Sequence, residues 1–194
     1  MRTLTYFVAT TIDAFACGPD GSYDFFPFAP DTQEFVTERY PETLPTGVRR
    51  MLGIDDRPNQ AFDAILQGRG SYQIALDEQV TSPYAHAEQY VFSTSLPADV
   101  DPAVTVVAED PCGFVRDLKR KESGLGLCLL GGPDIAGVLL PEIDELLIKR
   151  YPIVAGSGKP LFRAGFEPRG FERVWSHAFD SGADYNLFRR VRQG

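Results

Sequence analysis

Little in this chain invites metal or imidazole chemistry. Its 194 residues hold only two histidines, His86 and His177, and three cysteines, Cys17, Cys112 and Cys128, scattered without metal-like spacing. A zinc centre and a histidine-based triad are therefore unexpected, and no metal is assigned. Unpaired, scattered cysteines read as reduced thiols. With no signal-peptide layout in Met1-Arg2-Thr3-Leu4-Thr5-Tyr6, they point to a cytoplasmic location. No apolar run approaches the ~20 residues of a bilayer span, so no membrane partner is expected. Positive charge is also scarce: 19 Lys and Arg against 27 Asp and Glu give a net charge of −8. No basic stripe is left to neutralise a phosphate backbone, which argues against a general nucleic-acid binder. Lys119-Arg120-Lys121 and Arg189-Arg190 read as solvated faces. No repeat, low-complexity stretch or linker interrupts the chain, so a single domain over residues 1–194 is expected.

What is present is organised around Leu127 to Leu140. Four apolar residues, Leu127 to Leu130, suit a strand covered on both faces. Gly131 and Gly132 lack a Cβ, so a ligand can approach the backbone there. Pro133 suits the first turn of a following helix, placed at Ile135 to Leu140. The free N–H groups at such a helix start favour a phosphate. A tight strand-to-helix turn without any ligand is the other reading of the same residues.

Further strands are expected at Leu4 to Thr10, Phe62 to Arg69, Gln89 to Ser93 and Val104 to Val107, with Phe15-Ala16-Cys17 continuing the first after a break at Asp13. Leu146-Leu147-Ile148 and Tyr151 to Val154 suggest one long strand. Phe114, Val115 and Leu118 at helical spacing predict an amphipathic helix over Cys112 to Glu122. Asp31-Thr32-Gln33-Glu34 reads as a capping box opening a helix with Phe35, Val36 and Tyr40. Pro41 to Pro58 is irregular and expected at the surface, with a helical turn near Val48 to Leu52. Phe171 to Phe179 and Tyr185 to Val191 alternate like a hairpin turning at Asp180-Ser181-Gly182. Strands alternating with helices, then antiparallel strands, predict an α/β fold with a mixed, mostly parallel central sheet.

In such sheets ligands gather at the carboxyl ends of the strands. Gly68-Arg69, Ser93-Thr94-Ser95 and Gly131-Gly132 each follow an apolar strand. Arg69 can pair with a phosphate on an adenosine ribose. The hydroxyls can donate to the same group, and Gly131, Gly132 and the amides of Asp134 and Ile135 can hold a pyrophosphate. Ser93-Thr94-Ser95 read alone is equally an ordinary polar loop.

Several of these stretches form an ordered set: Ile65-Leu66-Gln67-Gly68-Arg69 with Ser71-Tyr72, Tyr90-Val91-Phe92-Ser93, Leu130-Gly131-Gly132-Pro133-Asp134-Ile135, and Ile143-Asp144-Glu145-Leu146 through Pro152 to Phe162. The set resembles the reductase domain of the bacterial bifunctional riboflavin-biosynthesis deaminase-reductase and its stand-alone dihydrofolate-reductase-like relatives, over roughly Met1 to Val191. The resemblance implies a dihydrofolate-reductase-like fold with flanking helices and a C-terminal antiparallel hairpin, NADPH as hydride donor, and a homodimer. It places Gly68, Arg69 and Ser71 at the adenosine-phosphate end, with Ser93 and Thr94 nearby. Gly131, Gly132, Asp134 and Ile135 flank the pyrophosphate, and Ala9 to Asp13 line the nicotinamide pocket.

The departures are informative. Asp13-Ala14 stands where the family usually has Asp-Gly. Leu130 stands where riboflavin-pathway enzymes tend to carry a glutamate, which counts against that pathway's ribosylaminopyrimidine as substrate. No deaminase zinc motif is present. Folate reductases place an acid on the first helix, a part open to Asp31 or Glu34, although both can equally cap the helix. Ile12 and Phe25, the latter with Tyr23, Phe26 and Phe28, can cover a planar substrate or simply be core. Asp13 can orient substrate or relay a proton, or can satisfy turn amides. The expected function is NADPH-dependent reduction of a small heterocyclic, pterin- or pyrimidine-like molecule. The alternative is a non-catalytic nucleotide-binding or interaction protein on the same scaffold.

Overall fold

The computed structural model describes residues 1–191; Arg192 to Gly194, the end of the expected domain, lie outside the described residues. Its strands are β1 (Leu4–Thr10), β2 (Phe15–Cys17), β3 (Phe62–Gly68), β4 (Glu88–Phe92), β5 (Val104–Val107), β6 (Gly126–Leu129), β7 (Glu145–Arg150), β8 (Lys159–Pro160), β9 (Phe171–Ala178) and β10 (Asp184–Arg190). Its helices are α1 (Pro30–Arg39), α2 (Thr46–Met51), α3 (Arg69–Asp77), α4 (Pro111–Arg120) and α5 (Pro133–Val138), with a short 3₁₀ turn at Pro41–Thr43. Eight strands form one sheet in the order β5-β4-β3-β6-β1-β7-β10-β9, and β2 pairs separately with β8. The strands from β5 to β7 in that order are parallel; β10 runs antiparallel to both β7 and β9. Parallel strands need crossovers: α3 joins β3 to β4, α4 joins β5 to β6 and α5 joins β6 to β7, while the β9–β10 hairpin turns back on itself.

Strand β6 shows why the apolar runs lie where they do. It is bracketed by β3 and β1, and Leu127, Cys128 and Leu129 are completely buried. Leu127 and Leu129 pack with Val115 and Leu118 of α4 and with Ile135 and Ala136 of α5. Cys128 faces the other way, toward Val36 of α1, Tyr40 and Tyr84. A strand sandwiched between two layers must be apolar on both sides, and each buried leucine contributes about 2 kcal/mol.

Three expectations are corrected. The helix expected from a capping box begins at Pro30, with Ala29 before it and no side-chain cap. Pro30 is preorganised for a first turn. The Thr32 hydroxyl donates back to the Ala29 carbonyl at 2.9 Å, and the Asp31 carboxylate accepts the Ser181 N–H at 3.0 Å. Strand β7 stops at Arg150 instead of running to Val154, because Pro152 has no N–H to continue the ladder; Ile153 instead accepts the Ile12 N–H at 2.8 Å. The segment from Pro41 to Pro58 is partly interior. Glu42 is fully buried, accepting the N–H groups of Ala61 and Phe62 at 2.7 and 2.8 Å where β3 begins. Arg49, 1% exposed, donates to the carbonyls of Asp55 and Arg57. Buried charges persist only when such partners meet them.

Candidate active site

All the parallel strands finish at one edge of the sheet, and a cleft of about 920 Å³ opens there. Gly68, Arg69, Ser71, Ser93, Thr94, Gly131, Gly132, Asp134 and Ile135 all line it. Residues far apart in sequence meet because β3, β4 and β6 end side by side.

The β3 and β6 ends press tightly together. The Gly68 N–H donates to the Gly131 carbonyl at 2.7 Å, and a Cβ on Gly68 would stand 2.9 Å from Ile135 Cγ2. Gly131 has φ +100°, a conformation that suits glycine, and the Gly131–Gly132 peptide is cis. Ser71, in the first turn of α3, faces the pair: a Cβ on Gly131 would lie 3.1 Å from its Oγ. Ser93 Oγ accepts the N–H groups of Ser95 and Leu96, both at 3.1 Å, so it shapes its loop while Thr94 stays exposed. The Arg69 guanidinium makes no ion pair or hydrogen bond with another described residue. The Asp134 carboxylate is met by Arg163 at 3.0 Å, which offsets negative charge on this wall of the cleft.

The candidates for the substrate side are not gathered in this way. Ile12, Asp13, Phe25 and Asp31 are absent from the cleft lining. Asp13 accepts from Thr11 Oγ1 at 2.6 Å and from the N–H groups of Ala155 and Gly156 at 3.1 and 2.7 Å. The Thr11 hydroxyl chiefly, with those amides, holds its pKa down to about 2. In this geometry Asp13 is an ionised clamp between two loops, ill suited to delivering a proton near neutrality. Ile12 is 57% exposed. Phe25 packs on Phe26 at 4.4 Å, and it is Phe26, with Tyr23, that reaches the cleft. The amide of Ser181 and that of Thr32 hold Asp31 ionised below its ordinary range.

Sequence reading also missed residues. Phe7, Cys17, Asp20, Gln73 and Lys159 line the cleft, Lys159 being carried there by the β2–β8 pairing. Lys149, on β7, sits in register beside Ala9, a lining residue. Its Nζ donates to Thr32 Oγ1 at 3.0 Å and lies 4.5 Å from the Tyr151 ring centre and 5.6 Å from that of Tyr185. Burial lowers its pKa to about 8, opposed by nearby Asp31. The signal available was strand parity: Lys149 shares a face with buried Leu147. Among the described residues no three His, Cys, Asp or Glu side chains group as a metal site, and no helix is long and apolar enough to cross a membrane.

No protein-family model matches the chain. YwjB, an uncharacterized protein of Bacillus subtilis (strain 168), is 33% identical over 105 residues, covering 53% of this chain and 60% of that relative, so the match spans less than two thirds of it. YyaP, also an uncharacterized protein of that strain, is 25% identical over 93% of this chain and 91% of its own. A candidate riboflavin biosynthesis protein from Shewanella sp. PV-4 superposes with a TM-score of 0.68 at 21% identity, covering 99% of this chain and all of that one. The Thermotoga maritima diaminohydroxyphosphoribosylaminopyrimidine deaminase/5-amino-6-(5-phosphoribosylamino)uracil reductase gives 0.64 at 15% identity, over 98% of this chain and 57% of that one. Dihydrofolate reductase from Enterococcus faecalis, complexed with NADP(H) and RAB-propyl, gives 0.63 at 15% identity, over 98% and 97%. Sheet order, flanking helices and C-terminal antiparallel hairpin, together with these likenesses, show that the chain has the dihydrofolate-reductase-like α/β fold.

Proposed function

We propose that this protein is an NADPH-dependent reductase that transfers a hydride to a small, planar heterocyclic substrate. The observation that carries this reading is the convergence of Gly68-Arg69, Ser93-Thr94 and Gly131-Gly132 on one cleft. The residues present fit the cofactor: Arg69 is an unpartnered guanidinium at the start of α3, and the glycine pair leaves main chain exposed where a side chain would intrude. The Enterococcus neighbour, complexed with NADP(H), supports a nicotinamide cofactor. When bound, NADPH supplies the hydride. Arg69 grips the adenosine phosphate, with the hydroxyls of Ser71, Ser93 and Thr94 nearby. Gly131 and Gly132 admit the diphosphate to the backbone, flanked by the amides of Asp134 and Ile135. Phe7, Tyr23 and Phe26 exclude water from the far end and provide ring faces for a planar substrate. Cytoplasmic residence and a homodimer belong to the same proposal, the latter tested by sedimentation.

The test is NADPH binding by fluorescence, followed by NADPH oxidation with a panel of pterins, pyrimidines and flavins. Oxidation with one class supports the reductase. Tight NADPH binding with no oxidation of any panel member favours the non-catalytic nucleotide-binding protein, and no binding at all overturns both readings.

A further inference from the structure

The corner between the end of β7 and the first turn of α1 takes no part in the cofactor chemistry above. Thr32 is the inward residue of that turn, 1% exposed. The acids beside it are turned elsewhere: Asp31 is occupied by the amides of Ser181 and Thr32, and Glu34 is exposed. What stands on the inner face is a cation, the Lys149 ammonium donating to Thr32 Oγ1. It has three protons to donate, and no carboxylate among the described residues lies within ion-pair distance. Lys149 does not itself line the cleft; two observations place it one layer behind the lining. Ala9, its register partner on β1, lines the cleft, and paired strands lie about 5 Å apart. Phe26, also lining, stacks at 4.7 Å on Tyr151, the ring that carries the ammonium on its face.

We propose that Lys149, steadied by Thr32 and backed by Tyr151 and Tyr185, is the substrate-recognition cation, selecting planar rings that present an oxo or carboxylate oxygen over cationic rings with donor edges. The proposal rests on the reductase reading for what occupies the rest of the cleft. A partly buried ammonium with unspent donors gains most from a charge-assisted bond to an acceptor and repels a second cation. Phe26 supplies the stacking face beside it. The groups facing Lys149 are Thr32 and Asp31 from α1, Tyr185 from β10 and Tyr151 after β7. Burial raises both phenols, so neither ionises where Lys149 does, near pH 8.

The experiment titrates the full chain, saturated with NADP⁺, with pterin-6-carboxylate and, below neutrality, with protonated 2,4-diaminopyrimidine. Wild type is expected to prefer the carboxylate, and its affinity to decline as pH rises through about 8. Lys149→Met should lose about tenfold for the carboxylate and flatten that pH profile, while Lys149→Arg keeps most of the affinity. NADPH affinity should stay within about twofold in both variants, since Arg69 and the glycine pair lie elsewhere. Unchanged carboxylate binding by Lys149→Met, preference of wild type for the diamine, or failure of wild type to bind the carboxylate while binding NADPH overturns the proposal. If Lys149→Met does not fold, the wild-type pH profile and Lys149→Arg decide. Failure of wild type to bind NADPH instead removes the reductase reading beneath it.

Discussion

Along the ends of β3, β4 and β6 the cleft has glycines that leave main chain bare, whereas beside β1 it is closed by aromatic side chains, two of them brought in from the segment after β2. The first half presents Gly68, Gly131 and Gly132 with an unpartnered Arg69 at its rim. The second presents Phe7, Tyr23 and Phe26, with Lys149 held behind them by Thr32, 117 residues away. Main chain at strand ends offers the same hydrogen-bonding groups whatever the sequence around it, which suits an invariant ligand such as a dinucleotide. Side chains from separate elements can be exchanged one at a time, which suits a substrate that differs among proteins of one fold.

The contrast is broken most severely by Gly132→Val. Its backbone is extended, with φ −93°, so the fold should tolerate the change while the side chain fills the cleft. NADPH affinity is expected to fall at least ~100-fold, with the circular dichroism spectrum retained. An unchanged NADPH titration would contradict a main-chain diphosphate site. Next, Arg69→Ala should weaken NADPH roughly tenfold to hundredfold and leave NADH nearly unaffected, because only NADPH carries the extra phosphate. Equal losses for the two cofactors would move Arg69 out of that role.

A smaller effect should mark the other half of the cleft. The pKa of Lys149 lies below its unfolded value, so its ammonium opposes folding below about pH 8, and the opposition fades as pH rises toward about 10.4. Lys149→Met should therefore melt roughly 2–4 °C higher than wild type at neutral pH, and the two should converge in alkaline buffer. A variant less stable than wild type at neutrality would show that the ammonium is structurally needed there. Smallest of all is Asp13→Asn. Asp13 is held below its usual range, so its ionised form supports the native state above about pH 4, and that support is lost as pH falls through about 2. The variant should lose this part of the acid transition and be cut sooner by protease near Ala155, with NADPH affinity changed by no more than about twofold. Loss of turnover with both ligands still bound would return Asp13 to a role in proton delivery.

How much was readable from sequence follows the same division. The parallel strands, the glycine pair, Pro133 at a helix start and the C-terminal hairpin are all signalled within a dozen residues of chain, by periodicity and by residues that punctuate structure. So the fold and the glycine-lined wall of the cleft could be read. The Lys149–Thr32 contact, the grip of Glu42 on the start of β3 and the engagement of Asp31 by Ser181 depend on which distant segments come to lie together. No local pattern announces them. Asp31 and Asp13 were legible as acids near a pocket, but Asp31 is engaged by an amide 150 residues away, and Asp13 by the Thr11 hydroxyl beside it and an amide 142 residues away.

One such tie reaches beyond its own atoms. Asp13 holds Ala155 and Gly156, Ile12 is bonded to Ile153, and β2 runs beside β8, so the segments following β1 and β7 are laced together along their length. They leave the sheet at Thr10 and Arg150, which are register partners. Neither segment can separate from the other at the cleft mouth without breaking those bonds.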